Sequence, residues 1–217
     1  MTRIKICGIK DKNHALAAVE AGADFIGLVL APSKRQVSPA QACELASAVK
    51  KSSDATKVVG VFVNAPTLRV NELADFCALD WVQLSGDESW EYCREVSRPV
   101  IKAIRINQQS PEELYTEISA GDELLPPKSF IALLDSQVEG VYGGTGESFH
   151  WNLAQKAAKG FPVIIAGGLD PENVARLIET VAPWGVDVSS GVETGGVKDT
   201  SKIKAFIEAV RKADEKR

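Results

Sequence analysis

What most narrows the folds open to this chain is an alternation kept up from end to end. A short apolar run is followed by a segment with helical spacing, and the pair recurs eight times at a repeat of about 25 residues. Asp24-Phe25-Ile26-Gly27-Leu28-Val29-Leu30 is nearly all apolar, as a strand covered on both faces of a parallel sheet must be. The next unit opens with Ser38-Pro39, a helix cap followed by proline in the first turn, and places Ala42, Leu45, Ala46 and Val49 on one helical face. Strands are expected near residues 4–7, 24–30, 57–63, 81–84, 99–104, 129–134, 162–166 and 186–188.

Helices are expected over 11–22, from Ser38, over 66–77 and 88–96, from Ser110, over 150–159, from Asp170-Pro171 and from Asp199. Ser110 and Glu113 have the spacing of a reciprocal cap, and Ile203, Phe206, Ile207 and Val210 mark the buried side of the last helix. Residues 135–149 show neither period and are rich in glycine, so a long functional connection is expected there. A chain of 217 residues supports one large core. The expectation is an α/β fold, a single-domain (β/α)8 TIM barrel over residues 1–217. An open doubly wound sheet is the alternative, because counting strands does not prove closure. No Gly-x-Gly-x-x-Gly follows the first strand, which weakens a dinucleotide-binding version of it.

Composition removes several classes of function. With a net charge of −4 and scattered lysines and arginines there is no stripe for a nucleic-acid backbone, so no nucleic-acid partner is expected. No apolar run reaches the roughly 18 residues of a membrane span, so no membrane partner is expected either. The first strand begins too close to Met1 for a signal peptide, which makes the cytoplasm the expected compartment. Cys7, Cys43, Cys77 and Cys93 include no Cys-x-x-Cys pair, so neither a disulfide framework nor a zinc site is expected. Cys43, Cys77 and Cys93 fall in helical segments and read as buried packing residues. His14 and His150 also lie on expected helices, with no carboxylate cluster beside them, so no metal is expected.

In a (β/α)8 barrel the chemistry gathers at the carboxyl ends of the strands. Here those ends offer Cys7, Ser33-Lys34-Arg35, Asn64, Gln83-Leu84-Ser85, Arg105, Asp135, Gly167-Gly168 and Ser189-Ser190-Gly191. The turns at Gly167-Gly168 and Ser189-Ser190 follow the last two strands, where glycine lets several amide N–H groups approach one anion. A small phosphorylated ligand is implied. Gly143-Gly144-Thr145-Gly146 follows the sixth strand, where a flap can close over a ligand.

Cys7 and Asp135 then stand on opposite parts of the ring as a base and an acid facing across a ligand. A rim thiol has an ordinary pKa of about 8.5, and the expectation is that nearby cations or amide dipoles lower it toward usefulness. Asp135 would need the opposite, a carboxyl kept protonated by burial.

Taken together, several stretches resemble the phosphoribosylanthranilate isomerase family. They are Lys5-Ile6-Cys7-Gly8-Ile9, Ser33-Lys34-Arg35 with Val37-Ser38-Pro39, residues 59–64, Val82-Gln83-Leu84, and Leu133-Leu134-Asp135-Ser136. Residues 143–146 with Phe149 and Trp151, Ala166-Gly167-Gly168-Leu169 with Asn173-Val174, and 187–193 with 196–199 complete the likeness across the chain. The resemblance implies an Amadori rearrangement of an aminoaldose phosphate to an aminoketose phosphate without a cofactor. It implies that Asp135 protonates the ring oxygen and that Cys7 removes the C2′ proton. It further implies that Arg35 holds the anthranilate carboxylate and that Gly167, Gly168, Ser189 and Ser190 cradle the phosphate. Gly144 is expected to bind substrate from the loop after the sixth strand, and a monomer or a homodimer is expected.

Two residues depart from the family pattern: Ser85 stands where a histidine is expected and His150 where an aspartate is common. Related phosphosugar enzymes on this barrel are the nearest rivals. A histidine-pathway isomerase would place a carboxylate at Cys7, and an indole-glycerol-phosphate synthase a lysine and glutamates at strand ends. A phosphate-binding barrel without catalysis is a rival of a different class.

Overall fold

The structure, a computed structural model, describes the backbone of residues 1–106, 110–135 and 146–217 and their side chains apart from those of 146–150, 152 and 153. Eight parallel strands close on themselves: β1 (Arg3–Cys7), β2 (Phe25–Val29), β3 (Lys57–Phe62), β4 (Trp81–Leu84), β5 (Val100–Arg105), β6 (Phe130–Asp135), β7 (Val163–Ala166) and β8 (Gly185–Val188). Closure is made by β1 and β8, with Ile4 opposite Val186 and Ile6 opposite Val188. The open sheet is thereby excluded.

Around the barrel run α1 (Lys12–Ala21), α2 (Pro39–Ser52), α3 (Thr67–Phe76), α4 (Trp90–Arg94), α5 (Pro111–Leu124), α6 (Gly146–Gly160), α7 (Val174–Val181) and α8 (Thr200–Glu215). The caps read from sequence form as reciprocal pairs. Ser38 Oγ accepts from Gln41 N at 3.2 Å while Gln41 Oε1 accepts from Ser38 N at 3.0 Å, and Ser110 and Glu113 repeat the arrangement. Each such cap stabilises its helix by about 1 kcal/mol.

Alternation along the strands divides the apolar residues into two cores. Ile4, Ile6, Ile26, Leu28, Val186 and Val188 face outward and pack beneath the helices. Phe25, Val59, Ile101, Ile131, Leu133, Ile164 and Ala166 fill the interior. Phe25 opens β2, Trp81 opens β4 and Trp184 precedes β8, so the three rings gather at the amino-terminal end, with centroids 6.1 Å and 6.0 Å from Phe25. That end is plugged, which leaves the carboxyl end for a ligand.

Several boundaries differ from the sequence expectation. Helix α6 begins at Gly146 rather than at His150, because a glycine in the first turn hides a helix start from propensity. Helix α7 begins at Val174; Asp170 instead caps the preceding turn, its Oδ1 accepting from Glu172 N at 2.8 Å and Asn173 N at 2.9 Å. Helix α4 is only five residues long. Cys77 lies one residue past α3, although it is buried as expected, and Cys43 is only half-buried. After β8 come a three-residue 3₁₀ turn (Ser190–Val192) and a small hairpin of β9 (Glu193–Thr194) and β10 (Val197–Lys198), which no periodicity announced.

Candidate active site

Because Ile4 and Ile6 face the helices, Lys5 and Cys7 on the same strand face into the barrel. Val186 and Val188 face outward likewise, which turns Asp187 inward. Lys5 is fully buried, and its Nζ donates to Asp187 Oδ1 at 3.0 Å. Removing one partner of a buried pair of this kind costs about 3–5 kcal/mol, since the other charge is then left without compensation. Gly27 on β2 explains how the group fits. A methyl there would lie 2.9 Å from Cys7 Sγ and 3.1 Å from Lys5 Nζ, so the absent side chain lets these two atoms pack close to the β2 backbone.

Cys7 ends β1 with 8% of its surface exposed, at the strand terminus the sequence indicated. The thiol's acidity runs against the sequence expectation. Burial pushes it above its ordinary value and Asp187 adds to the rise, while Lys5 and, less strongly, Lys198 draw it back. Desolvation of a thiolate outweighs the cations because so little solvent reaches the sulfur. Burial lowers the Lys5 ammonium, but Asp187 and Cys7 overcome this and hold it above its ordinary value. Burial also raises the Asp187 carboxyl; Lys5 opposes the rise and the charge of Asp135 adds to it. Asp135 itself ends β6, half-buried, on the inward register that Leu133 shares.

At the rim above Cys7 a second polar network joins the turns after β1, β2 and β8. Ser189 Oγ donates to Cys7 O at 3.1 Å. Lys198 Nζ donates to Ser189 O at 2.8 Å and to Glu193 Oε1 at 2.7 Å. Arg35 closes the chain of contacts, with Nε on Glu193 Oε1 at 2.7 Å and Nη2 on Oε2 at 2.9 Å. Burial by itself would raise the Glu193 carboxyl, but hydrogen bonds from Arg35 and Lys198 overcome it and hold the group at about 2. Burial lowers the Lys198 ammonium, with Glu193 opposing.

The turns after β7 and β8, where an anion site is expected from the sequence, lie side by side. Gly167 and Gly168 both have positive φ, 96° and 64°, a backbone that glycine adopts without strain. A methyl on Gly191 would fall on the Leu169 carbonyl, so the β8 turn packs directly against the β7 turn. Ser190 is exposed at the start of the 3₁₀ turn, and Asn173 Nδ2 donates to Gly168 O at 2.9 Å. The geometry therefore joins Ser189 to Cys7 directly and Arg35 to them through Glu193 and Lys198, with Gly167, Gly168 and Ser190 on the adjoining rim. Gly144 lies outside the described residues.

Gln83 faces inward on β4, donating from Nε2 to Ser85 Oγ at 2.9 Å, so Ser85, where a histidine was expected, is tied into the wall. Sequence reading missed Lys5, Gly27, Asp187, Glu193 and Lys198 as parts of the site. A lysine and an aspartate inside two otherwise apolar parallel strands were the available signal for the first pair. Among the described residues, no group of three His, Cys, Asp or Glu side chains stands close enough to ligate one metal ion.

Comparison with known proteins agrees along nearly the whole length. The family described as N-(5′-phosphoribosyl)anthranilate (PRA) isomerase matches residues 4–209. An N-(5′-phosphoribosyl)anthranilate isomerase of Dehalococcoides mccartyi is 46% identical over 215 residues, covering 99% of this chain and 98% of the relative. Among solved structures, the phosphoribosyl anthranilate isomerase of Thermotoga maritima superposes with a TM-score of 0.83 at 37% identity, over 98% of this chain and 100% of that one. A phosphoribosyl anthranilate isomerase in complex with reduced 1-(o-carboxyphenylamino)-1-deoxyribulose 5-phosphate has a TM-score of 0.81 at 34% identity, with the same coverage.

Proposed function

The chain belongs to the N-(5′-phosphoribosyl)anthranilate isomerase family, and we propose that Cys7 and Asp135 are the base and acid of its reaction. The activity is that of an isomerase of tryptophan biosynthesis, the Amadori rearrangement of N-(5′-phosphoribosyl)anthranilate to 1-(2-carboxyphenylamino)-1-deoxyribulose 5-phosphate. The Asp135 carboxyl gives its proton to the furanose oxygen as the C1′–O bond breaks, and the nitrogen lone pair forms a Schiff base. The Cys7 thiolate then takes the C2′ proton, and the electrons of that C–H bond form the enolamine. Return of a proton to C1′ and loss of the enol proton give the ketose, so the steps balance as an isomerisation.

Arg35 takes the anthranilate carboxylate on its guanidinium, and the amides around Gly167, Gly168, Ser189 and Ser190 take the phosphate, with Gly144 in the loop that closes over the ligand. Anchoring both ends of the substrate sets C2′ over the barrel mouth, where proximity supplies much of the rate. One observation above all supports this reading. A buried thiol ends β1 at the open end of a barrel whose other end is plugged by Phe25, Trp81 and Trp184. The reading takes residues 1–217 as one domain and places the reaction in the cytoplasm, without a cofactor. No helix among the described residues is long and apolar enough to cross a membrane.

The test is to generate N-(5′-phosphoribosyl)anthranilate in situ and follow the loss of its fluorescence with the purified protein. Catalysed loss is expected. Its absence, together with turnover of a histidine-pathway aminoaldose, would move the protein to the neighbouring reaction.

A further inference from the structure

Of the polar trio beneath the rim, Lys5, Cys7 and Asp187, the reaction gives a task only to Cys7. Lys5 is fully buried, and it reaches neither solvent nor the rim. An ammonium is among the most costly groups to seal inside a barrel, so its presence needs an account. We propose that Lys5 is the positioning residue that lets Cys7 act as a base: held by Asp187, its ammonium is the counter-ion of the Cys7 thiolate. This rests on the reading of Cys7 as the base.

Geometry carries the assignment. Cys7 Sγ and Lys5 Nζ lie 2.9 Å and 3.1 Å from one point, the place where a side chain on Gly27 would start. They are therefore no more than about 6 Å apart, within the range where a charge acts strongly on its neighbour in a buried site. Asp187 fixes Nζ from the opposite strand at 3.0 Å. The other charged groups near the thiol are differently engaged. Lys198 bonds to Glu193 and Ser189, and Arg35 is doubly bonded to Glu193, all at the rim. Asp135 acts on Asp187 from β6. Lys5 is thus the cation sealed below the rim with the sulfur.

The arrangement gives Asp187 two opposed effects, since it anchors the cation while its own negative charge disfavours the thiolate. That opposition makes the proposal testable by sign. A role in packing alone would not shift the titration of Cys7 in opposite directions in two variants.

The experiment measures site-resolved alkylation of Cys7 by iodoacetamide against pH, read by mass spectrometry, because the thiolate is the reacting form. Asp187→Asn removes the opposing charge and should lower the midpoint by about one pH unit, roughly a tenfold gain in thiolate below it. Lys5→Met with Asp187→Asn leaves no unpaired charge and should raise the midpoint above wild type by at least about one unit. An unchanged or lowered midpoint in the double variant overturns the proposal. Should that variant not fold, NMR titration of wild-type Cys7 Cβ and Lys5 Cε decides the matter. A coupled inflection shared by both is expected, and independent titration overturns the proposal. Native turnover by Cys7→Ala would instead remove the base reading while leaving the alkylation midpoints as measured, so the two failures are distinguishable.

Discussion

Arg35 and Glu193 meet above the end of β1 in a two-pronged pair, Nε to Oε1 at 2.7 Å and Nη2 to Oε2 at 2.9 Å. The pair ties the turn after β2 to the hairpin after β8 and aims the guanidinium before any ligand arrives. Lysine offers a point charge in place of a fork, so it cannot hold Glu193 and receive a planar carboxylate in the same way. Arg35→Lys should raise KM for phosphoribosylanthranilate about tenfold while kcat changes by less than about threefold. Steady-state kinetics checks this, and an unaltered kcat/KM would place the anthranilate carboxylate elsewhere.

The same pair sets an acid limit on stability. The Glu193 carboxyl is held at about 2 against an ordinary 4.5, so its folded-state pKa is depressed. Its stabilising contribution is complete above about 4.5 and is lost as pH falls toward 2. Thermal unfolding from pH 7 down to 2 should show a Tm gap between wild type and Glu193→Gln that is constant above about pH 5 and closes below it. A gap that stays constant to pH 2 would mean that the carboxylate is not stabilised by its partners.

Gly27→Ala places a methyl 2.9 Å from Cys7 Sγ and 3.1 Å from Lys5 Nζ, closer than the packing allows. Overpacking of this kind typically costs about 1–3 kcal/mol, here concentrated on the thiol and the ammonium. The variant should fold with a lower urea midpoint and lose turnover by more than about tenfold. Full activity would show that the close packing around the thiol has no bearing on catalysis.

Gly191 abuts the Leu169 carbonyl, and a backbone oxygen cannot move aside as a flexible side chain does. Gly191→Ala should therefore force apart the turns after β7 and β8. Inorganic phosphate is expected to inhibit wild type competitively, with a Ki at least about tenfold weaker in the variant. Equal inhibition of both would argue that the phosphate sits away from these turns.

Much of the frame was legible because the alternation of strands and helices leaves direct marks on the sequence. Nearly all-apolar runs such as Phe25–Val29 announce strands covered on both faces, and Ser38-Pro39 announces a capped helix. Cys7 and Asp135 were legible as residues at strand ends, since that position has a meaning in this fold. Lys5 and Asp187 were harder to read: each stands out as a charged residue in an apolar strand, but their contact joins β1 to β8 and exists only once the barrel has closed. The direction of the thiol's shift was also misjudged. The expectation weighed the cations and not the burial that outweighs them. Glu193 and Lys198 depend on a hairpin of two-residue strands, too short for any periodicity to register.

The central claim is that Cys7 takes the C2′ proton while Asp135 supplies the ring-opening proton. Its most direct measurement is the rate at which phosphoribosylanthranilate fluorescence disappears with Cys7→Ala and Asp135→Asn, each confirmed as folded by circular dichroism. The account predicts that turnover in both variants falls by at least about a thousandfold, with the far-ultraviolet spectrum unchanged. A near-native rate in either variant would contradict the role assigned to that residue.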